Sequence, residues 1–251
     1  MHPFLYPKHQ ELVKHLRQDF RQNGYVHLPG FFSPTQIQEA NDQLAQLLAR
    51  RQTAMNVADV ADNHSGDAAF LWMARLHYYN LYFEELMYES PFSQLASALL
   101  EDEVWGEDLS YFMHPARHGA ALPPHQDGSA FMIAPWEALC FWVALEDMDH
   151  HTGCLHYLRA SHHEGLRTHR PVPSPLCPEE IEDYPARQDE VSFPLRAGDL
   201  IAHHCLTVHR ISPNVSFTRH RQALRFTYFA TRAMVDETEG ALHLQQASAL
   251  G

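Results

Sequence analysis

Pro123-Pro124-His125-Gln126-Asp127-Gly128-Ser129 is the stretch on which the reading of this 251-residue chain turns. In an extended segment successive side chains alternate between faces, so His125 and Asp127 project together and Gln126 projects the other way. One imidazole and one carboxylate on a single face make two thirds of a facial metal site. A second histidine from a neighbouring strand completes the two-His, one-carboxylate set that leaves three positions open on a non-haem Fe(II) ion. His209 is the candidate. It stands eighty-two positions beyond Asp127, too far for a local metal motif and reachable only if the fold lays two strands side by side. The two prolines stiffen the entry to the pair, and Gly128-Ser129 loosens the exit.

Working outward, the pattern is helical before this stretch and β around and after it. Leu12, Val13, Leu16 and Phe20 recur at helical spacing over residues 8–23, with Gly24 as a stop. Tyr25–Leu28 reads as a short strand. Ser33-Pro34 and Ser90-Pro91 supply N-caps and first-turn prolines for two more helices, the first ending near Arg51. Residues 52–69 lose periodicity and read as a long mobile loop. Leu109–Met113, Phe131–Ile133, Leu139–Leu145, Cys154–Leu158, Val191–Phe193, Asp199–His203 and Leu224–Thr231 read as strands between Pro, Gly and Asp turns. Residues 168–190, with five prolines, read as an excursion from them. Many short strands behind a helical N-terminal part predict a mainly β fold, a jelly roll with helices packed on one sheet. A single domain over 1–251 follows from the length, helical to about 105, β to about 235, then a short tail.

Composition narrows the function. A net charge of -13 argues against nucleic acid, whose phosphates need clustered Lys and Arg. No run approaches the roughly 18 apolar residues of a membrane span, and Met1-His2-Pro3-Phe4 lacks the pattern of a signal peptide. Cys140, Cys154, Cys177 and Cys205 show no CxxC spacing and suit free thiols in the cytoplasm. Between His150 and Arg170 stand six histidines and three arginines against Glu164 alone. This suggests a locally cationic wall and an anionic small-molecule substrate, with a solvated surface segment as the plainer account. His203 and His204 compete with His209 for the ligand role. The expected assembly is a monomer or homodimer.

The order of motifs resembles the phytanoyl-CoA dioxygenase family of oxygenases. It runs from Asn23-Gly24-Tyr25-Val26-His27-Leu28-Pro29-Gly30-Phe31-Phe32-Ser33 through His125-Gln126-Asp127 and Trp142-Val143-Ala144-Leu145-Glu146. It continues through Gly153-Cys154-Leu155-His156-Tyr157-Leu158-Arg159-Ala160-Ser161-His162 and Gly198-Asp199 with His204 and His209, to Arg221-Gln222-Ala223-Leu224. The resemblance implies a double-stranded β-helix in which His125, Asp127 and His209 hold Fe(II), with 2-oxoglutarate and O2 as co-substrates. It implies that the far carboxylate of 2-oxoglutarate meets Arg221, whose planar fork matches a carboxylate and keeps its charge when buried. It also places Trp142, Gln126, Tyr111, Ser110 and Arg75 near the co-substrate or substrate. The chain departs from the family twice. His209 and Arg221 are one residue further apart than is common, which keeps Arg219 and Arg225 as rivals. Ile211 stands where a serine often follows the histidine, so Ser212 is the expected source of that hydroxyl.

The activity implied is hydroxylation of a C–H bond in a small molecule, with 2-oxoglutarate converted to succinate and CO2. Asp127 is present where related halogenases carry a small residue, which favours hydroxylation. Two other classes stay open: a cupin-like metalloenzyme for hydrolysis or isomerisation, and a non-catalytic sensor that binds metal or 2-oxoglutarate. Residues 52–69 and 168–190 are candidate lids.

Overall fold

The first helix, α1 (Pro7–Asn23), ends where Gly24 adopts a left-handed φ of +83° and turns its N–H back to the Phe20 carbonyl at 2.8 Å. The structure is a computed structural model describing residues 7–56, 59–63, 70–117, 119–173, 177–184 and 190–235. After β1 (Tyr25–Leu28), the helix α2 (Pro34–Ala54) opens with a reciprocal capping box between Ser33 and Gln36. Then come β2 (Val60–Asn63), β3 (Phe70–Met73), α3 (Leu81–Tyr88) capped by Asn80, and α4 (Pro91–Leu100) capped by Ser90. The β region begins with β4 (Val104–His114), β5 (Leu122–His125), β6 (Ile133–Ala134), β7 (Ala138–Ala144) and β8 (Leu155–Leu158). It continues with β9 (His169–Pro171), β10 (Glu179–Ile181), β11 (Glu190–Phe193), β12 (Leu200–His204), β13 (His209–Ile211), β14 (Arg221–Ala230) and β15 (Met234–Val235).

These strands form a double-stranded β-helix. A seven-stranded antiparallel sheet, in the order β1-β12-β7-β14-β4-β3-β2, faces a four-stranded one, β11-β8-β13-β5. The large sheet is buried on both faces, and every residue of β7 is buried. Its outer face packs Leu139, Phe141, Val143, Leu224 and Phe226 against Leu16, Phe20, Leu44, Leu47, Leu95 and Leu99 of the helices. Each such side chain contributes about 1.5–3 kcal/mol by leaving water, so the helical layer is part of the core. The inner face sets Trp142, Ala144, Ile201, Ala223 and Phe112 against Leu122, Leu155, Tyr157 and Ile211 of the small sheet. This inner layer forms the floor beneath the histidine and carboxylate candidates.

Several expectations need correction. The segment 52–69 is not a loop throughout: α2 runs on to Ala54, and Val60–Asn63 pairs with β3, while 57–58 and 64–69 lie outside the described residues. The excursion 168–190 carries its own ladder of β9 with β10, with Glu179 opposite Pro171. Residues 174–176 and 185–189 lie outside the description. The expected strand Phe131–Ile133 is displaced by a 3₁₀ turn at Asp127–Ala130. The helix α3 escaped the periodicity because it is only eight residues long and begins with Leu81, which is 75% exposed.

Candidate active site

The two strands that the sequence separates by more than eighty residues lie side by side. In the β13–β5 ladder His209 is the direct partner of His125, and the two rings stand 4.2 Å apart, centre to centre. Each ring is oriented by its own backbone. His125 Nδ1–H donates to the Pro123 carbonyl at 2.8 Å, and His209 Nδ1–H donates to the Thr207 carbonyl at 3.0 Å. Both Nε2 lone pairs are thereby turned outward, the arrangement a metal ion requires of imidazole. They point at Asp127, with His125 Nε2 3.9 Å from Oδ1 and His209 Nε2 4.0 Å from Oδ2. Metal–ligand bonds of about 2.0–2.2 Å allow two ligand atoms of one ion to stand at most about 4.4 Å apart, and each imidazole is within that reach of one oxygen of the carboxylate, His125 of Oδ1 and His209 of Oδ2.

The protonation states suit the same purpose. Burial lowers the pKa of both His125 and His209, so they stay neutral. Burial alone would raise Asp127, but a hydrogen bond from His203 and the charge of Arg225 outweigh it and hold the carboxyl well below its usual range. Two neutral imidazoles and an ionised carboxylate are the ligand forms that bind metal without first losing a proton. A second trio, Asp127, Cys140 and His203, is equally close. Burial pushes the Cys140 thiol well up, which keeps it protonated and a poor ligand.

The three residues stand at the wall of a cavity of about 420 Å³ between the sheets. Its lining is largely apolar, with Phe112, Leu122, Phe131, Trp142, Leu155 and Ile211, as expected of a small-molecule site. Two buried donors of its lining have no hydrogen-bond partner, Trp142 Nε1 and Arg225 Nε; Arg221, whose Nη2 is also unpartnered, is not part of the lining. Unmade hydrogen bonds at buried donors cost about 1–3 kcal/mol each, so the two in the lining mark a place for an acceptor.

A family model described as phytanoyl-CoA dioxygenase (PhyH) matches residues 20–223. The chain belongs to the phytanoyl-CoA dioxygenase family. It is 32% identical over 152 residues to a phytanoyl-CoA dioxygenase of Arabidopsis thaliana, a match covering 59% of this chain and about half, 53%, of that relative. Among solved structures it resembles the non-haem, α-ketoglutarate-dependent carbocyclase SnoK of nogalamycin biosynthesis. The TM-score is 0.74 at 23% identity, over 92% of this chain and 89% of the other. It also resembles the epimerase SnoN of the same biosynthesis, with TM-score 0.71 at 23% identity over 88% and 84% of the two chains.

Not every residue that the phytanoyl-CoA dioxygenase resemblance implied lies in the cavity. Tyr111 points to the helical side of β4, packing among Leu109 and the outer core and donating its hydroxyl to Gln222. Strand alternation gives the inward positions to Ser110 and Phe112 instead. Ser212 likewise faces away, its hydroxyl 2.6 Å from His156 Nε2 on the outside of the small sheet, while Ile211 lines the cavity. Gln126 borders the cavity, but its amide ties three backbone groups together. It donates to the Gly165 and Leu206 carbonyls at 2.9 and 2.6 Å and accepts from Arg167 N–H at 2.8 Å. Arg75 is paired with Asp59, and Ser110 bonds Asp108. Trp142 does line the cavity, tilted against Phe112 at 5.5 Å.

The His150–Arg170 stretch supplies only Leu155 to the cavity lining. Arg167 is paired with Glu164 and Arg170 with Glu180, so the expected cationic wall does not face the site. From the 168–190 excursion come Cys177, Pro178 and Glu179 instead. Gly198-Asp199 also has a different role. The Asp199 carboxylate accepts Gly30 N–H at 2.8 Å and Arg196 N–H at 2.9 Å, tying the turn before β12 to the end of β1. Of the two rivals for the ligand role, His203 lies inside the barrel, its Nε2 2.9 Å from Asp127 Oδ2. The available signal was alternation along β12, which sends His203 inward with Ile201 and His204 outward. His204 packs near Phe20 and His162, and burial pushes its pKa down to about 3.

Proposed function

We propose that the protein is a non-haem Fe(II)- and 2-oxoglutarate-dependent dioxygenase that hydroxylates a C–H bond of a small molecule. The observation that carries this reading is the convergence of His125, Asp127 and His209 on one point at the wall of an apolar cavity, with both imidazoles oriented by backbone carbonyls. The donors fit the groups. Two neutral nitrogens and one carboxylate suit Fe(II) and leave open positions for a bidentate keto acid and O2. Iron and 2-oxoglutarate would together supply the oxidant, with succinate and CO2 as co-products.

Arg221 is the residue we assign to the far carboxylate of 2-oxoglutarate. The three rivals differ in what already neutralises them. Arg219 is on the surface, 2.6 Å from Asp149. Arg225 is flanked by two carboxylates, Asp108 at 3.5 Å and Asp127 at 3.7 Å. Arg221 is 1% exposed, its Nη1 reaches only the Gly153 and Ser212 carbonyls at 3.4 and 3.3 Å, and Nη2 has no partner. No carboxylate among the described residues pairs with it, and burial pushes its pKa down to about 9. A buried, unneutralised guanidinium is costly unless an anion joins it, and a dicarboxylic co-substrate is such an anion. Trp142 Nε1, also unpartnered, is a second donor for the same ligand.

The cavity suits a substrate with a substantial apolar body. The test is anaerobic loading with Fe(II) and 2-oxoglutarate followed by oxygen and a panel of small molecules, measuring succinate and product mass. Succinate formed with equimolar product heavier by one oxygen atom supports hydroxylation. Succinate with an isomerised or cyclised product would move the chain to another outcome of the same site. Absence of succinate with every substrate and none without substrate would remove the oxygenase reading.

A further inference from the structure

We infer that His203 and Tyr157 form a positioning relay that fixes which oxygen of Asp127 is available to the metal, an inference that rests on the iron-site reading above. His203 Nε2 lies 2.9 Å from Asp127 Oδ2, and the Tyr157 hydroxyl lies 3.0 Å from His203 Nδ1. All three side chains are buried: His203 and Tyr157 are 1% and 0% exposed. The link crosses the barrel. His203 stands on β12 of the large sheet, Tyr157 on β8 of the small sheet, and Asp127 just beyond β5 of the small sheet.

The direction of the hydrogen bonds follows from the groups. A carboxylate only accepts, so His203 Nε2 must carry the proton that points at Asp127. In the neutral ring Nδ1 is then an acceptor, and the Tyr157 hydroxyl is its donor. Reversing the tautomer would set an imidazole lone pair against a carboxylate oxygen at 2.9 Å, a direct repulsion. The carboxylate therefore fixes the tautomer, Tyr157 holds the ring through Nδ1, and His203 occupies Oδ2. The remaining oxygen, Oδ1, is 3.9 Å from His125 Nε2 and 3.7 Å from Arg225 Nη1, too far from either for a hydrogen bond. It is the oxygen that His203 leaves open. The Asp127 side chain follows a strand end and opens a 3₁₀ turn; Arg225 and the Cys140 thiol are also beside its carboxylate, but His203 supplies the close, directional hydrogen bond that fixes its rotation.

This arrangement separates positioning from ligation. A ligand's loss removes binding outright, whereas loss of a hydrogen-bond partner behind a ligand typically costs about 10–100-fold in metal affinity. Residue His203 also belongs to the alternative trio with Cys140, so the experiment must tell the two roles apart.

The test is Co(II) titration, followed by the visible ligand-field spectrum of the Co(II) protein, on wild type, Asp127→Ala, His203→Phe, His203→Gln, Tyr157→Phe and the double variant His203→Phe/Tyr157→Phe. Circular dichroism and a melting curve accompany each to establish folding. Wild type should bind one Co(II) and Asp127→Ala none. His203→Phe should bind one with about 10–100-fold lower affinity and an altered spectrum. His203→Gln, which can still donate to Asp127 and accept from Tyr157, should recover most of both. Tyr157→Phe should weaken binding in the wild-type background and add nothing to His203→Phe. Unchanged affinity and spectrum in folded His203→Phe would overturn the relay while leaving the metal site standing. Loss as complete as in Asp127→Ala, not rescued by Gln, would make His203 a ligand and also overturn it. No Co(II) binding by wild type would overturn the iron-site reading and the relay with it.

Discussion

Arg221 and Gly153 are built around each other. The Gly153 carbonyl accepts from Arg221 Nη1 at 3.4 Å, and a Cβ placed on Gly153 would stand 2.7 Å from that same nitrogen and 2.3 Å from the Ser212 carbonyl oxygen. The φ of Gly153 is +98°, which an L side chain rarely adopts. A glycine in the sequence motif after β7 thus leaves room for a buried guanidinium carried by β14.

Gly153→Ala should therefore act at a distance on co-substrate binding. The backbone strain alone costs about 1–3 kcal/mol, read as a lower midpoint in denaturant. Displacement of Arg221 should raise the Kd for 2-oxoglutarate about tenfold with Fe(II) affinity unchanged, measured by anaerobic calorimetry. Equal 2-oxoglutarate affinity in the folded variant would detach Gly153 from the site.

Arg221→Met and Arg225→Met should separate in their effects. Charge-assisted hydrogen bonds contribute about 1.5–3 kcal/mol, so Arg221→Met should weaken 2-oxoglutarate binding by about 10–100-fold. Arg225 lies 5.3 Å above the Phe112 ring and between Asp108 and Asp127. Its loss leaves the buried Asp127 and the part-buried Asp108 without their shared cation, so Arg225→Met should cost stability, about 3 kcal/mol. Melting curves and 2-oxoglutarate titrations of both variants check this. The reverse pattern would reassign the co-substrate to Arg225.

A pH effect is expected away from the site. Glu190 makes a two-point pair with Arg210, 2.6 Å at each contact, and accepts from the Tyr184 hydroxyl. Burial alone would raise its pKa, but the bonds from Arg210 and Tyr184 outweigh burial and lower it. A carboxyl with a depressed folded pKa contributes stability that is complete above its unfolded value, near 4.3, and is lost as pH falls through the lower folded value. Glu190→Gln should cost about 2 kcal/mol at pH 7. The gap to wild type should close on acidification below about pH 4. A gap that is constant from pH 7 to pH 3 would show that the charge is not its source.

What was legible in the sequence follows from where the constraint is local. The caps at Ser33 and Ser90, the periodic faces of α2 and α4, and the buried β7 announce themselves through side-chain chemistry within a few residues. The His125–Asp127–His209 set was readable because its geometry needs two strands and the sequence offers two. Tyr111 and Ser212 went astray for a different reason. A period of two means that one residue's error in phase moves a side chain through the sheet to its other face, and neither strand's polar content fixes the phase. The contact between His203 and Asp127 depends on how two sheets face each other, which no local pattern encodes. The cationic appearance of the His150–Arg170 stretch was real in composition, yet Arg167 and Arg170 spend their charge on Glu164 and Glu180.

The central claim is that His125, Asp127 and His209 form one iron site that takes 2-oxoglutarate. Its most direct test is an anaerobic titration of Fe(II), then 2-oxoglutarate, into wild type and Asp127→Ala, with folding established by circular dichroism. The account predicts one Fe(II) per chain in wild type, 2-oxoglutarate binding that strengthens when Fe(II) is present, and neither effect in Asp127→Ala. Fe(II) binding of equal affinity and stoichiometry in the folded Asp127→Ala protein would contradict it.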